Sequence, residues 1–92
     1  MNDILKEIEE ERRHQDKKWG GADHDDTHDS YAWISFIIYY LGQSTSDFVR
    51  DKGSFVFKLR NFRYNMIKVA ALAVAAIESC DRFLEREEAS KE

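Results

Sequence analysis

The chain has 92 residues, of which 42% are hydrophobic and 13% aromatic, and it contains no proline, four glycines and one cysteine, with a formal charge of −4 at pH 7. At this size one core is only marginally sufficient, so we expect residues 1–92 to form a single domain completed by oligomerisation, as a dimer or a multiple of one. The lack of proline argues against an all-β fold, the single cysteine excludes an intramolecular disulfide, and the acidic charge argues against a broad face for duplex DNA.

The first helix is predicted over about 2–18, with an N-cap at residue 2 or 3. Its inward stripe is apolar at first and polar towards the end: Ile4, Leu5, Ile8, Arg12 and Gln15. The second half of this helix should therefore face a site rather than a core. Gly20 and Gly21 are the expected stop signal, and residues 22–29 are predicted to form a polar loop.

A second helix is predicted from a cap at residue 29 or 30 to about Gln43. Its run over 33–41 is apolar almost all round, so we expect it to be buried on more than one side. The polar residues 44–47 are predicted to interrupt the helix, and residues 47–53 are predicted to form at most a short helical turn.

The longest helix is predicted from Ser54 to about Glu87, with a short extended start as the alternative and a charged, disordered tail over 88–92. Apolar residues four and three apart form a seam that should pack against a neighbouring helix: Phe62, Met66, Val69, Ala73, Ala76, Cys80 and Phe83. The seam position of Cys80 predicts a packed core thiol. The fold class predicted from these elements is all-α, with three main helices in a bundle.

The block Glu11-Arg12-Arg13-His14-Gln15-Asp16-Lys17-Lys18-Trp19-Gly20, with Trp33 and residues 68–78, resembles the short phage and prophage members of the MazG-like family. This family belongs to the all-α nucleoside triphosphate pyrophosphatases, and the resemblance covers roughly residues 8–83. In the family, a Glu-Glu-x-Gly-Glu motif that begins six residues after the tryptophan holds Mg²⁺ together with a carboxylate that opens the later helix. The resemblance thus implies a helical domain that handles nucleotides.

The carboxylates of those motifs are absent from this chain. Counting from Trp33, the first motif is replaced by Tyr39-Tyr40-Leu41-Gly42-Gln43, and Asn65 and Lys68 stand at the second. Because protein-bound Mg²⁺ is normally held by carboxylates, the resemblance implies no metal cofactor and no catalytic residue. Lys68 could instead pair with a phosphate, or it could simply extend from a half-buried helix to solvent.

Two groups of residues are candidate ligand contacts. On the first helix, Arg12 and Lys18 can bind phosphates. Gln15 can hydrogen-bond a base or a ribose, and Trp19 can either stack on the ligand or anchor the core. The second group interleaves aromatic and basic side chains, as a purine nucleotide requires, and consists of Tyr40, Arg63, Tyr64 and Lys68.

The segment His24-Asp25-Asp26-Thr27-His28 holds the densest set of potential metal ligands. It could bind Zn²⁺ or Mn²⁺, contact a ligand without metal, or only cap the adjoining helices. Its spacing matches no standard zinc motif, so we assign His24, Asp25 and His28 to ligand contact without metal.

From these residues we expect a non-catalytic nucleotide-binding protein of phage or prophage type, which by analogy sequesters a nucleotide-derived immune signal. The alternative is a metal-dependent pyrophosphatase or nucleotide hydrolase with a site relocated to residues 24–28, and a third is a structural or protein-binding remnant. The longest apolar run, 69–77, is far too short for a bilayer span, and no signal peptide is recognisable. We therefore predict a cytoplasmic protein that binds neither a membrane nor duplex DNA.

Overall fold

The structure is a computed structural model that describes residues 2–50 and 55–91, apart from the side chains of residues 46–48 and 50. Within these ranges the chain forms helices and no strand, which confirms the predicted all-α class. The helices are α1 (Asn2–Trp19), α2 (Gly21–Asp25), α3 (Ser30–Arg50) and α4 (Phe55–Lys91). In the part of the chain described here, no helix is both long and apolar enough to cross a lipid bilayer.

Helix α1 ends as predicted, at the glycine pair. Gly20 has a φ of 106°, in the left-handed region, and its N–H donates to the Asp16 carbonyl at 2.8 Å. This conformation suits glycine and reverses the chain after the last turn of α1. The predicted loop over 22–29 is wrong in its first half, because α2 begins at once. Asp23 in the first turn of α2 favours this short helix through its interaction with the helix dipole.

Helix α3 begins as predicted, with Asp29 as its cap. The Asp29 Oδ1 accepts a hydrogen bond of 2.8 Å from the Ala32 N–H. The predicted interruption at 44–47 is wrong, since α3 continues through these residues. Neither proline nor glycine occurs there, and the Thr45 hydroxyl donates to the carbonyl four residues earlier at 3.2 Å, which is compatible with a helix. Residues 51–53 of the predicted short turn lie outside the described residues.

Helix α4 is longer than predicted. Its predicted first residue, Ser54, lies outside the described residues, but residues 55–57 are already helical, so the alternative of an extended start is wrong for them. Helix α4 also includes residues 88–91 of the segment predicted as a disordered tail, and residue 92 lies outside the described residues. The segment 55–91 contains no proline or glycine, so nothing in its sequence interrupts the backbone hydrogen bonds.

The other helices pack around α4. Helices α1 and α3 both contact α4, and α2 contacts α1 and α4, whereas within the described ranges no Cα atom of α1 lies within 8 Å of α3. The apolar core is small, and its buried members are Trp33, Ala71, Leu72 and Ala75. The molecule is elongated, with extents of 58 × 28 × 22 Å.

Several apolar side chains predicted to be buried are exposed in the single chain. On α3, Trp33 is buried, but Ile34 and Ile38 are 53% and 59% exposed. The prediction that this helix is buried on more than one side is therefore wrong for the single chain. In the predicted seam on α4, Ala76 packs against the core, but the ends of the seam are exposed. Cys80 is exposed as well, so its assignment as a packed core thiol is wrong.

Candidate functional site

A cavity of about 260 Å³ lies where α1, α2, α3 and α4 meet. One wall is polar and comes from the end of α1 and from α2, and the other is aromatic and apolar and comes from α3 and α4. The lining residues are Arg12, Gln15, Trp19, His24, Asp25, His28, Trp33, Phe36, Tyr39, Tyr40, Leu72 and Ala75. The polar half of the α1 stripe therefore faces a cavity, as its sequence predicts.

Arg12 holds the polar wall together. Its guanidinium donates to Gln15 Oε1 at 3.3 Å, to Asp16 Oδ1 at 3.1 Å and to Asp25 Oδ2 at 3.4 Å. Its Nε also lies 3.7 Å from a carboxylate oxygen of Glu78, on α4. Arg12 thus connects α1, α2 and α4, and a ligand phosphate would have to compete with these carboxylates for it.

Gln15 and Asp25 are the two most enclosed polar residues of this wall, at 4% and 7% exposure. Burial raises the pKa of Asp25, the positive charge of Arg12 opposes that rise, and the nearby Asp16 adds to it. The Nε2 of Gln15 donates to none of the described residues. Among these residues, Ser44 Oγ is the side-chain polar atom that is both fully enclosed and without a hydrogen-bond partner. Because Gln15 Nε2 also has no partner but is not fully enclosed, it is open to the cavity.

The two histidines belong to the aromatic part of the site. The His28 ring makes edge-on contacts with Trp33 and Phe36, with ring centres 5.2 and 5.0 Å apart, and with His24 at 4.8 Å. These contacts fix His28 between α2 and α3. The cavity therefore presents aromatic rings on one side and hydrogen-bonding groups on the other.

The potential metal ligands of residues 24–28 do not converge. Asp26 is directed to α4, where its Oδ1 accepts from Ser79 Oγ at 2.8 Å and from Arg82 Nη2 at 2.7 Å. The Arg82 hydrogen bonds, followed by that of Ser79, lower the pKa of Asp26 to about 2. In residues 2–50 and 55–91, no group of three or more His, Cys, Asp or Glu side chains is arranged to hold a metal ion.

Of the residues predicted to contact a ligand, seven line the cavity: Arg12, Gln15, Trp19, His24, Asp25, His28 and Tyr40. Four do not: Lys18, Arg63, Tyr64 and Lys68. Lys18 lies over the Trp19 ring, 5.2 Å from its centre, and Arg63 donates to Glu7 at 2.8 Å on the outer side of α1. Lys68 lies over two rings, 5.3 Å from the centre of Tyr40 and 4.4 Å from that of Tyr64.

The α3 and α4 residues of the cavity were mostly missed by sequence reasoning. Trp33, Phe36 and Tyr40 follow one another at intervals of three and four, and Leu72 and Ala75 at three, so each set lies on one face of its helix. That spacing could have identified the face of each helix, but it does not reveal that the two faces meet. Comparisons with protein families, curated proteins and solved structures found no match for the chain.

Proposed function

We propose that the protein binds a nucleotide or a nucleotide-derived molecule in this cavity and does not cleave it. The observation that carries the proposal is the pairing of an aromatic wall with the open amide of Gln15 and the carboxylate of Asp25. A cavity of about 260 Å³ is smaller than the roughly 300–1,000 Å³ of sites for drug-sized ligands. It suits a single nucleobase, with the sugar and phosphates outside.

The lining groups match the chemistry of a nucleobase. A base has two flat faces that stack on rings such as Trp33 and Tyr40, and stacking of this kind contributes about 1–3 kcal/mol per base. Its edge carries both donors and acceptors. Gln15 can donate through Nε2, and Asp25 can accept from an N–H of the base, so this site favours a base with N–H donors on its edge.

Lys68 is the residue proposed to meet a phosphate. Its ammonium group is 5.3 Å from the ring centre of Tyr40, which lines the cavity, so it lies one ring away from the proposed base. An ammonium in this position can pair with a phosphate as a point charge. Arg63 is a weaker candidate because its guanidinium already pairs with Glu7.

The absence of cleavage rests on residue chemistry and on the resemblance to the MazG-like family. Gln43, Asn65 and Lys68 stand where that family has carboxylates for Mg²⁺, and none of them is a carboxylate. On the same resemblance, we propose that the chain is a phage or prophage member of that family. Its role would be to sequester a nucleotide-derived signal. In such a protein, tight binding without turnover would be the activity itself.

Both tryptophans of the chain line the cavity, so their fluorescence reports directly on its occupancy. We would titrate the protein with nucleoside mono- and triphosphates, cyclic dinucleotides and ADP-ribose, with and without Mg²⁺. We expect at least one of them to quench the fluorescence in a saturable, metal-independent manner, without release of pyrophosphate or phosphate. Metal-dependent product release that is abolished by EDTA would contradict the non-catalytic proposal.

Two variants then test the site. Gln15→Ala should weaken binding by about 0.5–1.5 kcal/mol, the usual value of one hydrogen bond, and Lys68→Ala by about 1.5–3 kcal/mol, the value of a hydrogen bond to a charged group. Arg13→Ala is the matched control, since Arg13 is exposed on α1 and pairs with Glu9. Equal affinity of all three variants for every ligand would contradict the proposed site.

A further inference from the structure

Two buried polar side chains of the cavity each have an atom without a hydrogen-bond partner. Gln15 is 4% exposed and Asp25 is 7% exposed, and both line the cavity. Within the described ranges, Gln15 Nε2 donates to no residue and Asp25 Oδ1 accepts from none. Neither atom is fully enclosed, so both are open to the cavity. Because buried polar side chains are nearly always hydrogen-bonded, these two atoms point to a polar ligand.

Arg12 places these two side chains next to each other and fixes their orientation. Its Nη1 donates to Gln15 Oε1 at 3.3 Å, and its Nη2 donates to Asp25 Oδ2 at 3.4 Å. A guanidinium has donors only, so the oxygen of the Gln15 amide faces Arg12 and the NH2 group is left for a ligand. The side chains therefore offer a ligand one donor group, from Gln15, beside the carboxylate of Asp25.

The Asp25 carboxylate can accept from a ligand through both of its oxygens. A carboxylate has about four lone-pair sites, and among the described residues Arg12 donates to Asp25 through one long bond, to Oδ2. Burial raises the pKa of Asp25, and the charge of Arg12 opposes this rise and favours the ionised form that accepts. A ligand with two neighbouring N–H groups can therefore meet both oxygens, as arginine does when it pairs with a carboxylate.

Guanine is the common nucleobase whose edge fits this arrangement. Its N1–H and its 2-amino group are neighbouring donors, and the acceptor O6 lies beside N1. Adenine and cytosine have an amino group beside an acceptor nitrogen, and uracil has one N–H between two carbonyls. With any of these three bases, one oxygen of the carboxylate would meet an acceptor or no donor at all. A buried polar group that is left unpaired in this way is costly.

We propose that the cavity is specific for guanine and that Asp25 determines this specificity. The carboxylate of Asp25 accepts from N1–H and from the 2-amino group, and Gln15 donates to O6. This inference rests on the proposed function, because it requires that the cavity holds a nucleobase. It adds that the bound molecule, whether a single nucleotide or a larger signal, carries guanine.

Calorimetric titration of the wild type with nucleoside monophosphates tests the preference without any variant. Guanosine monophosphate should bind about 10- to 150-fold more tightly than inosine monophosphate, which lacks only the 2-amino group, because this is the value of a hydrogen bond to a charged group. The adenosine, cytidine and uridine monophosphates should also bind more weakly. Equal binding of all five, or tighter binding of another base, would overturn the specificity for guanine and leave the proposed function intact. If none of them binds, both are overturned.

The variant Asp25→Asn tests the carboxylate by exchanging one of its acceptors for a donor. It should lose the preference for guanosine over inosine monophosphate and gain affinity for xanthosine monophosphate, whose carbonyl oxygen at C2 can accept from an amide. Asp16→Asn is the matched control, because Asp16 also pairs with Arg12 but lies outside the cavity lining, and it should keep the wild-type preference. If Asp25→Asn still prefers guanosine monophosphate, or weakens all the monophosphates alike without a gain for xanthosine, the role of Asp25 is overturned.

Discussion

The variant Arg12→Ala would remove the side chain that connects α1, α2 and α4 beside the cavity. Of its three carboxylate partners, Asp16 and Glu78 have side chains 44% and 53% exposed, so water can replace the guanidinium there. The side chain of Asp25 is only 9% exposed. Its carboxylate would lose a cation without gaining full hydration, so most of the cost should arise at Asp25.

The size of the effect follows from these exposures. Loss of a hydrogen bond to an enclosed charged group costs about 1.5–3 kcal/mol. An exposed ion pair contributes only about 0.2–1 kcal/mol, so the pairs with Asp16 and Glu78 add little. We expect Arg12→Ala to lower the free energy of unfolding by about 2–3 kcal/mol at pH 7, which is a large part of the roughly 5–15 kcal/mol of a typical domain.

The effect should depend on pH in a defined direction. Burial raises the pKa of Asp25 in the folded protein, and the charge of Arg12 opposes this rise. A carboxyl group with a raised pKa stabilises the fold below its unfolded pKa, and this contribution is lost as the pH rises through the folded pKa. Removal of Arg12 raises the pKa of Asp25 further, so the destabilisation should be largest at pH 7 and smaller at pH 4.

Urea unfolding of the wild type, Arg12→Ala, Asp25→Asn and the double variant would test this, at one fixed protein concentration and at pH 4 and 7. The double-mutant cycle should give a coupling of at least about 1 kcal/mol at pH 7. Arg13→Ala, which breaks an exposed pair with Glu9, should cost at most about 0.5 kcal/mol at either pH. Additive effects of Arg12→Ala and Asp25→Asn, or an equal cost at both pH values, would refute the reasoning.

Three further substitutions have defined outcomes. Leu72→Ala should lower the free energy of unfolding by about 3 kcal/mol, seen as a lower urea midpoint at unchanged slope, because Leu72 is 3% exposed in the core. The pKa of Asp26 is lowered to about 2, chiefly by Arg82. The stabilisation that the Asp26 carboxylate gives the fold should therefore be lost as the pH falls from the ordinary pKa of an aspartate through 2. Asp26→Asn should therefore flatten the pH dependence of the urea midpoint between pH 5 and 2. Gly20→Ala should cost about 1–2 kcal/mol in thermal unfolding, because a φ of 106° strains any residue with a Cβ atom.

The helix ends that depend on local chemistry were predictable from the sequence. Gly20 ends α1 and Asp29 caps α3, and both signals act within four residues of the chain. The predicted interruption at 44–47 failed because serine and threonine do not by themselves end a helix. Their hydroxyls can bond to a carbonyl of the preceding turn, as Thr45 does. A run of polar residues is therefore a weaker stop signal than glycine or proline.

In the candidate site, features that depend on neighbouring residues were also more predictable than features that depend on distant ones. Its polar wall, with Arg12, Gln15 and Asp25, comes from a short stretch of chain, and the sequence already grouped these residues as candidate ligand contacts. The contacts between distant elements were not predicted. Asp26, for example, pairs with Arg82, which lies 56 residues later in the sequence. Helical periodicity gives the face on which a residue lies, but not the rotation of one helix against another, which is set by packing of the whole domain.

The arrangement of α1 and α3, which both rest on α4 without approaching each other, has a consequence for local unfolding. With few contacts between them, each can detach from α4 while the other stays in place, so their amide protons should exchange with solvent at separate rates. A molecule held in the cavity would touch both helices and link their opening. Amide exchange in α1 and α3 should then slow together, even though the ligand contacts only a few residues of either helix.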